Sequence, residues 1–242
     1  MIQLTQLTKK FGNQSAVDDL SLEIKPGELF AFLGPNGAGK TTTIKMMTGI
    51  LKPTSGKVEI AGFDIQLQSR EAKMKIGYVP DTPYLYDRLT AREFMDFVGG
   101  LYHLDSDIIR RRSYDLFTLF DMNGWVDRKC EQYSHGMRQK LVFAAAMIHF
   151  PSVLIVDEPM VGLDPHSAKL VKDLLRDYVA KGNTVFISTH ILSIAEELCD
   201  RVAIVNKGKL IAVGSIDHLK TTANQQDANL ESLFLKLTGQ PE

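Results

Sequence analysis

The apolar run Leu29-Phe30-Ala31-Phe32-Leu33 breaks into Gly34-Pro35-Asn36-Gly37-Ala38-Gly39-Lys40-Thr41 and resumes as a helical stretch from Thr42 to Leu51. A strand that feeds a helix through a tight glycine-rich turn limits the fold choices severely. It points to an α/β domain with a parallel sheet. Backbone N–H groups of such a loop point inward, and the helix behind it adds the positive end of its dipole. The glycines let the chain turn sharply and approach a ligand closely. The whole segment, with Thr42, therefore reads as a phosphate cradle. Lys40 is placed to reach terminal phosphates of a nucleotide, and the Thr41 hydroxyl to ligate Mg²⁺. An ordinary Gly-rich turn is the competing reading, and the flanking strand and helix argue against it.

Length and charge close off other classes. A chain of 242 residues is one large α/β domain or two small ones. Its longest nearly uninterrupted apolar stretch, Leu141 to Phe150, falls well short of the ~20 residues that cross a bilayer. No secretory signal precedes the first strand, so a cytoplasmic address is expected. The net charge of −1 comes with no basic stripe, so no nucleic-acid partner is expected. Cys130 and Cys199 lie far apart in no metal-type spacing and read as reduced thiols.

Along the chain, residues 2–24 alternate apolar and polar as short strands, and Val58 to Ile60 and Ile76 to Val79 continue the pattern. From about Asp81 to Phe150 helical spacing takes over, through Phe94, Phe97, Val98 and Leu101 and then Ile108 to Phe120. Strands return at Val153 to Val156, Thr184 to Ser188 and Val202 to Val205, followed by a hairpin through Asn206-Lys207-Gly208. The organisation is a parallel-sheet core interrupted by a helical insert. Leu230, Leu233, Phe234 and Leu237 mark one apolar face of a terminal helix.

Two carboxylates end the apolar strand Val153-Leu154-Ile155-Val156-Asp157-Glu158-Pro159. A buried strand with acids only at its carboxyl end delivers them to the crevice where α/β sheets bind ligands. Asp157 suits a Mg²⁺ ligand, and Glu158 a general base that orients water. A surface acid pair capping a turn is the competing reading. Ser134 suits the N-cap of the helix that Gly136 to Ile148 implies.

With these motifs in order, the chain resembles the nucleotide-binding subunits of ABC (ATP-binding cassette) transporters over essentially its whole length. The resemblance rests on the phosphate loop, on Asp157-Glu158, and on Tyr133-Ser134-His135-Gly136-Met137 at the family's signature. Gly162-Leu163-Asp164 stands at the D-loop and His190 at the switch histidine. It implies a P-loop NTPase fold: a RecA-like core at 1–81 and 151–218, an antiparallel β subdomain, a helical subdomain at 82–150 and a helical tail at 219–242. It implies ATP and Mg²⁺ as ligands, with Lys40, Glu158 and His190 catalytic. Ser134 and Gly136 would meet the γ-phosphate held by a second cassette. His190, expected two strands from the phosphate loop, would contact that phosphate; a core histidine is the alternative. Phe11 stands where an aromatic stacks on adenine, or is buried core. Asp164 acts between subunits, or is a turn acid before Pro165.

Two departures stand out. Asp81 follows Pro80 where the family has glutamine, and an acceptor-only acid near phosphates suits a water-mediated metal contact or a plain loop acid. The signature has tyrosine first, His135 for a glycine and Met137 for the glutamine. This pattern, with the Leu230-to-Phe234 tail and no long regulatory extension, is similar to bacterial ABC-2-type export systems. Implied partners are a second cassette, identical or not, and integral membrane permease subunits. That places the chain peripherally on the cytoplasmic face of the cell membrane. The rivals are a soluble ABC ATPase acting on ribosomes or nucleic acid, and a binding module without turnover.

Overall fold

The computed structural model describes residues 1–222 and Phe234. The chain opens with two long strands, β1 (Ile2–Phe11) and β2 (Gln14–Ile24), then β3 (Leu29–Leu33) and α1 (Lys40–Met47). β4 (Ser55–Ile60), β5 (Phe63–Asp64), α2 (Ser69–Lys73) and β6 (Ile76–Val79) follow. The insert holds α3 (Ala91–Leu101), α4 (Ser106–Leu119) and α5 (His135–Met147), with a short 3₁₀ turn at Cys130–Gln132. The chain returns through β7 (Val153–Asp157), α6 (Pro165–Ala180), β8 (Thr184–Thr189) and α7 (Leu192–Leu198). It continues as β9 (Arg201–Asn206), β10 (Lys209–Gly214) and α8 (Ile216–Thr222).

Two sheets form. One is antiparallel, in the order β2-β1-β4-β5; the other runs β10-β9-β3-β8-β7-β6, parallel except for the β9–β10 hairpin. The parallel strands β3, β7 and β8 are buried at every residue, as expected for a sheet covered on both faces. Their side chains divide by period two. Leu29, Ala31, Leu33, Leu154 and Val156 join one apolar cluster with α4, α5 and α6. Phe30, Phe32, Val153 and Ile155 join a second, shared with α1 and the antiparallel sheet. The sheet is thus the common floor of two cores.

The first two strands are longer than their alternation suggested, because β1 passes through irregular register between Leu4 and Lys10 instead of breaking. Of the anticipated terminal helix, Phe234 is helical and buried in the first cluster, beside Leu219. Leu230, Leu233 and Leu237 lie outside the described residues. The preceding helix begins at Ile216, within the span assigned to the core.

Register explains why a site forms. Leu33 lies opposite Thr189, Ser188 opposite Asp157, and Val156 opposite Val79. Four strands therefore release their chains at one end of the sheet, into the phosphate loop, His190, Glu158 and Asp81.

Candidate active site

The glycine-rich loop is braced before any ligand arrives. Gly39 sits at φ 103°, and a Cβ there would lie 2.5 Å from the Ala16 carbonyl oxygen of β2. Only glycine satisfies both the backbone angle and that approach. The Gly208 N–H donates to the Ala38 carbonyl at 3.0 Å, and Asp18 N–H to the Gly208 carbonyl at 2.8 Å. The β9–β10 turn and β2 together hold the loop from behind. α1 has no side-chain cap and no acid in its first turn, so its leading N–H groups face the pocket with the positive end of the dipole. The buried Lys40 ammonium folds back and donates to the carbonyls of Gly34 (2.8 Å) and Pro35 (3.4 Å).

β7 and β8 bring in the acids. Asp157 is buried and accepts hydrogen bonds from Ser188 Oγ and, at 3.0 Å, from Thr41 Oγ1. Glu158 follows in left-handed backbone at φ 51°, a conformation that costs a residue with a side chain on the order of 1–3 kcal/mol. Its N–H is tied to the Ser188 carbonyl at 3.1 Å. One carboxylate oxygen, Oε1, lies 2.9 Å from His190 Nδ1 and 3.7 Å from Lys40 Nζ. The other, Oε2, is buried and has no hydrogen-bond partner among the described residues. A cavity of about 240 Å³ opens here, lined by Asn36, Gly37, Lys40, Thr41, Asp81 and Glu158. Behind it, burial first and then the charges of Asp157 and Asp81 push the Tyr78 hydroxyl up to about 12.

One sequence expectation needs correcting. His190 lies one strand from the phosphate loop, not two, because β8 inserts directly between β3 and β7. That insertion is also what lets His190 reach Glu158.

The donor set fits magnesium. Thr41 Oγ1 and Asp157 Oδ2 are a hydroxyl and a carboxylate in contact, the hard oxygen chemistry that Mg²⁺ takes. No cluster of three or more His, Cys, Asp or Glu side chains suited to a metal occurs among the described residues. The protein thus offers few ligands, as Mg²⁺ sites completed by phosphate and water do.

Not every anticipated residue reaches this cavity. Ser134 caps α5, accepting from Met137 N–H at 3.3 Å, and a Cβ on neighbouring Gly136 would meet nothing within 4 Å. Asp164 caps α6, accepting from the N–H groups of His166 and Ser167, both at 3.0 Å, and from the Ser167 hydroxyl at 2.6 Å. The bonds from Ser167, then His166, hold its carboxyl down at about 2. Phe11 is 55% exposed, which removes the buried-core reading, and Lys9 Nζ stands 5.2 Å from its ring centroid. Ser188 and Ala16 escaped sequence reasoning. Ser188 had a weak signal, being two residues before His190 and so on one face of its strand; Ala16 had none.

Fold and site together define a nucleotide-hydrolysing cassette, an ATPase of the P-loop class. The pattern that defines the ABC transporter family matches residues 17–161, and the chain belongs to that family. It is 36% identical over 234 residues to the ABC transporter ATP-binding protein NatA of Bacillus subtilis, covering 95% of each chain. It is 37% identical over 240 residues to the probable multidrug ABC transporter ATP-binding protein YbhF of Escherichia coli. That match takes in 98% of this chain but 41% of YbhF, so the chain spans less than half of that relative's length. Among solved structures, an ATP-binding subunit of an ABC transporter superposes with a TM-score of 0.93 at 30% identity, over 98% of this chain and 99% of that one. The dimeric cassette MJ0796 in a post-hydrolysis state bound to ADP and Pi matches with a TM-score of 0.81 at 26% identity, over 89% and 98%.

Proposed function

We propose that the chain is the ATP-hydrolysing motor subunit of a membrane transporter, an exporter, in which two cassettes pair head to tail on separate permease subunits. Glu158 carries this reading: a half-buried carboxylate held by His190 and Lys40 on one oxygen, with its second oxygen buried and unpartnered beside the phosphate loop.

ATP places its phosphates in the cradle from Gly34 to Thr42, and Lys40 exchanges its loop carbonyls for phosphate oxygens. Thr41 and Asp157, with Asp81 through a water, would hold Mg²⁺, which would supply Lewis-acid charge on the phosphates. Glu158 accepts a proton from water as that oxygen bonds to the γ-phosphorus. The bond to the bridging oxygen breaks, and ADP and phosphate leave. His190, fixed through Nδ1, turns its other nitrogen toward the transferring group.

Ser134 and Gly136 supply the second half of a site whose first half is the loop of the partner copy. Their open position on an uncovered helix N-terminus supports that role. Exposed Phe11 receives the adenine, and Asp164 braces the turn after Glu158 for the contact between copies. The division into core (1–81, 151–218), helical subdomain (82–150) and tail is the one the insert suggests.

No described helix is long and apolar enough to cross a membrane; in this proposal the pore is the work of the permease subunits. Tyr84, which shares a pocket with Asp81, and Tyr86, Phe97 and Leu101 are exposed at 42–85%, apolar surface suited to a partner segment. The names of YbhF and NatA support transport.

Glu158→Gln tests the reading. Phosphate release should fall ~10²–10⁴-fold while ATP affinity, measured by calorimetry, stays near that of wild type. Equal rates in the two proteins would remove Glu158 from the chemistry.

A further inference from the structure

The signature's departure from the family pattern has a structural partner. His135, the first residue of α5, lays its ring against Gly162 in the turn that follows Glu158. A Cβ on Gly162 would lie 2.3 Å from His135 Cδ2 and 2.6 Å from Nε2. Gly162 is therefore glycine for two reasons: φ of 73° and a ring seated on its Cα.

The turn beneath the ring is fully specified. Val161 N–H donates to the Glu158 carbonyl (3.3 Å), Leu163 N–H to the Met160 carbonyl (3.4 Å), and Asp164 caps α6. Its first residue is Glu158 itself. The ring's own helix is capped by Ser134, one residue earlier. His135 thus joins the capped end of α5 to the segment that carries the acid.

We propose that His135 is a positioning residue, whose ring fixes the spacing between the α5 N-terminus and the Glu158-to-Asp164 turn. The action is steric: the ring edge fills the gap above Gly162, and neither ring nitrogen touches substrate. This deepens the proposed ATPase reading and rests on it. A smaller side chain at 135 lets the turn and the helix end shift relative to each other. A misplacement of about an ångström in a catalytic constellation lowers turnover strongly.

The test uses the full chain and three substitutions, two of them also combined. His135→Ala should lower kcat roughly tenfold with the KM for ATP unchanged, because the phosphate loop is untouched. His135→Phe, which keeps the ring edge but no nitrogen, should restore kcat to within about twofold of wild type. Gly162→Ala should cost more in wild type than in His135→Ala, where no ring is left to unseat. A nuclear Overhauser contact between the His135 ring and the Gly162 α-protons reads the geometry without any turnover. A wild-type kcat in His135→Ala, a His135→Phe variant as slow as the alanine, or a missing Overhauser contact would each overturn the proposal. Failure of the ATPase reading looks different: no hydrolysis by wild type with the Overhauser contact in place.

Discussion

His149 shows how one buried side chain can tie stability to pH. It follows α5, stacks on Tyr102 with ring centroids 3.6 Å apart, and sets Nε2 3.0 Å from the Ile76 carbonyl oxygen. The ring therefore joins the end of α3 to β6, and burial pushes its titration from the usual 6.5 down to about 4. Between those values the unfolded chain binds a proton that the folded chain refuses, so stability rises with pH across this window. The contribution is complete above about 6.5 and gone below about 4, and amounts to roughly 3 kcal/mol. Urea unfolding at pH 7, 5.5 and 4.5 should show that slope in wild type and a flatter one in His149→Gln. Parallel slopes would show that His149 is not the group responsible. Glu158 makes the opposite point, since its strained backbone and unpartnered oxygen sit where the proposed chemistry would take place.

Helix ends separate stability from function at the next scale up. Thr90 caps α3 in a reciprocal pair with Glu93, and Ser134 caps α5 through Met137. Replacing either by alanine should cost about 1 kcal/mol, since each loses one satisfied N–H. Thermal unfolding should register both losses similarly, whereas ATP turnover should fall for Ser134→Ala alone. Equal ATPase loss in the two would place Ser134 among ordinary caps. Elements of this kind were readable from sequence because they obey local rules. The loop from Gly34 to Thr41, the buried run at Val153 and the cap at Ser134 each announce themselves through periodicity and turn chemistry. Sheet order does not, since it depends on which strands pair across long separations. The place of β8 between β3 and β7, and hence the Glu158–His190 contact beside the phosphate loop, needed the structure. So did Ser188 under Asp157, Ala16 behind Gly39 and the seat of His135 on Gly162, all of which are contacts between segments far apart in the chain.

At the scale of the whole molecule, the six-stranded sheet has its central strands β3, β8 and β7 buried on both faces and gathers the phosphate loop, Asp157, Glu158 and His190 at one end. The cap at Ser134 and the open space at Gly136 do not line that cavity. In the proposed dimer a second copy closes the gap, so that each complete site takes its loop from one chain and its α5 end from the other. Two damaged chains should then repair one another. Lys40→Ala disables the loop, and Gly136→Asp folds normally, because its Cβ meets nothing, but sets a carboxylate against the partner's phosphate. Each variant alone should be nearly inactive. Mixed in equal amounts, half of the dimers pair unlike chains, and each of those has one site with both halves intact. The measurement is the ATPase rate of that mixture. Recovery to about a quarter of the wild-type rate is expected; a mixture no faster than either variant alone would show that the two chains do not share a site.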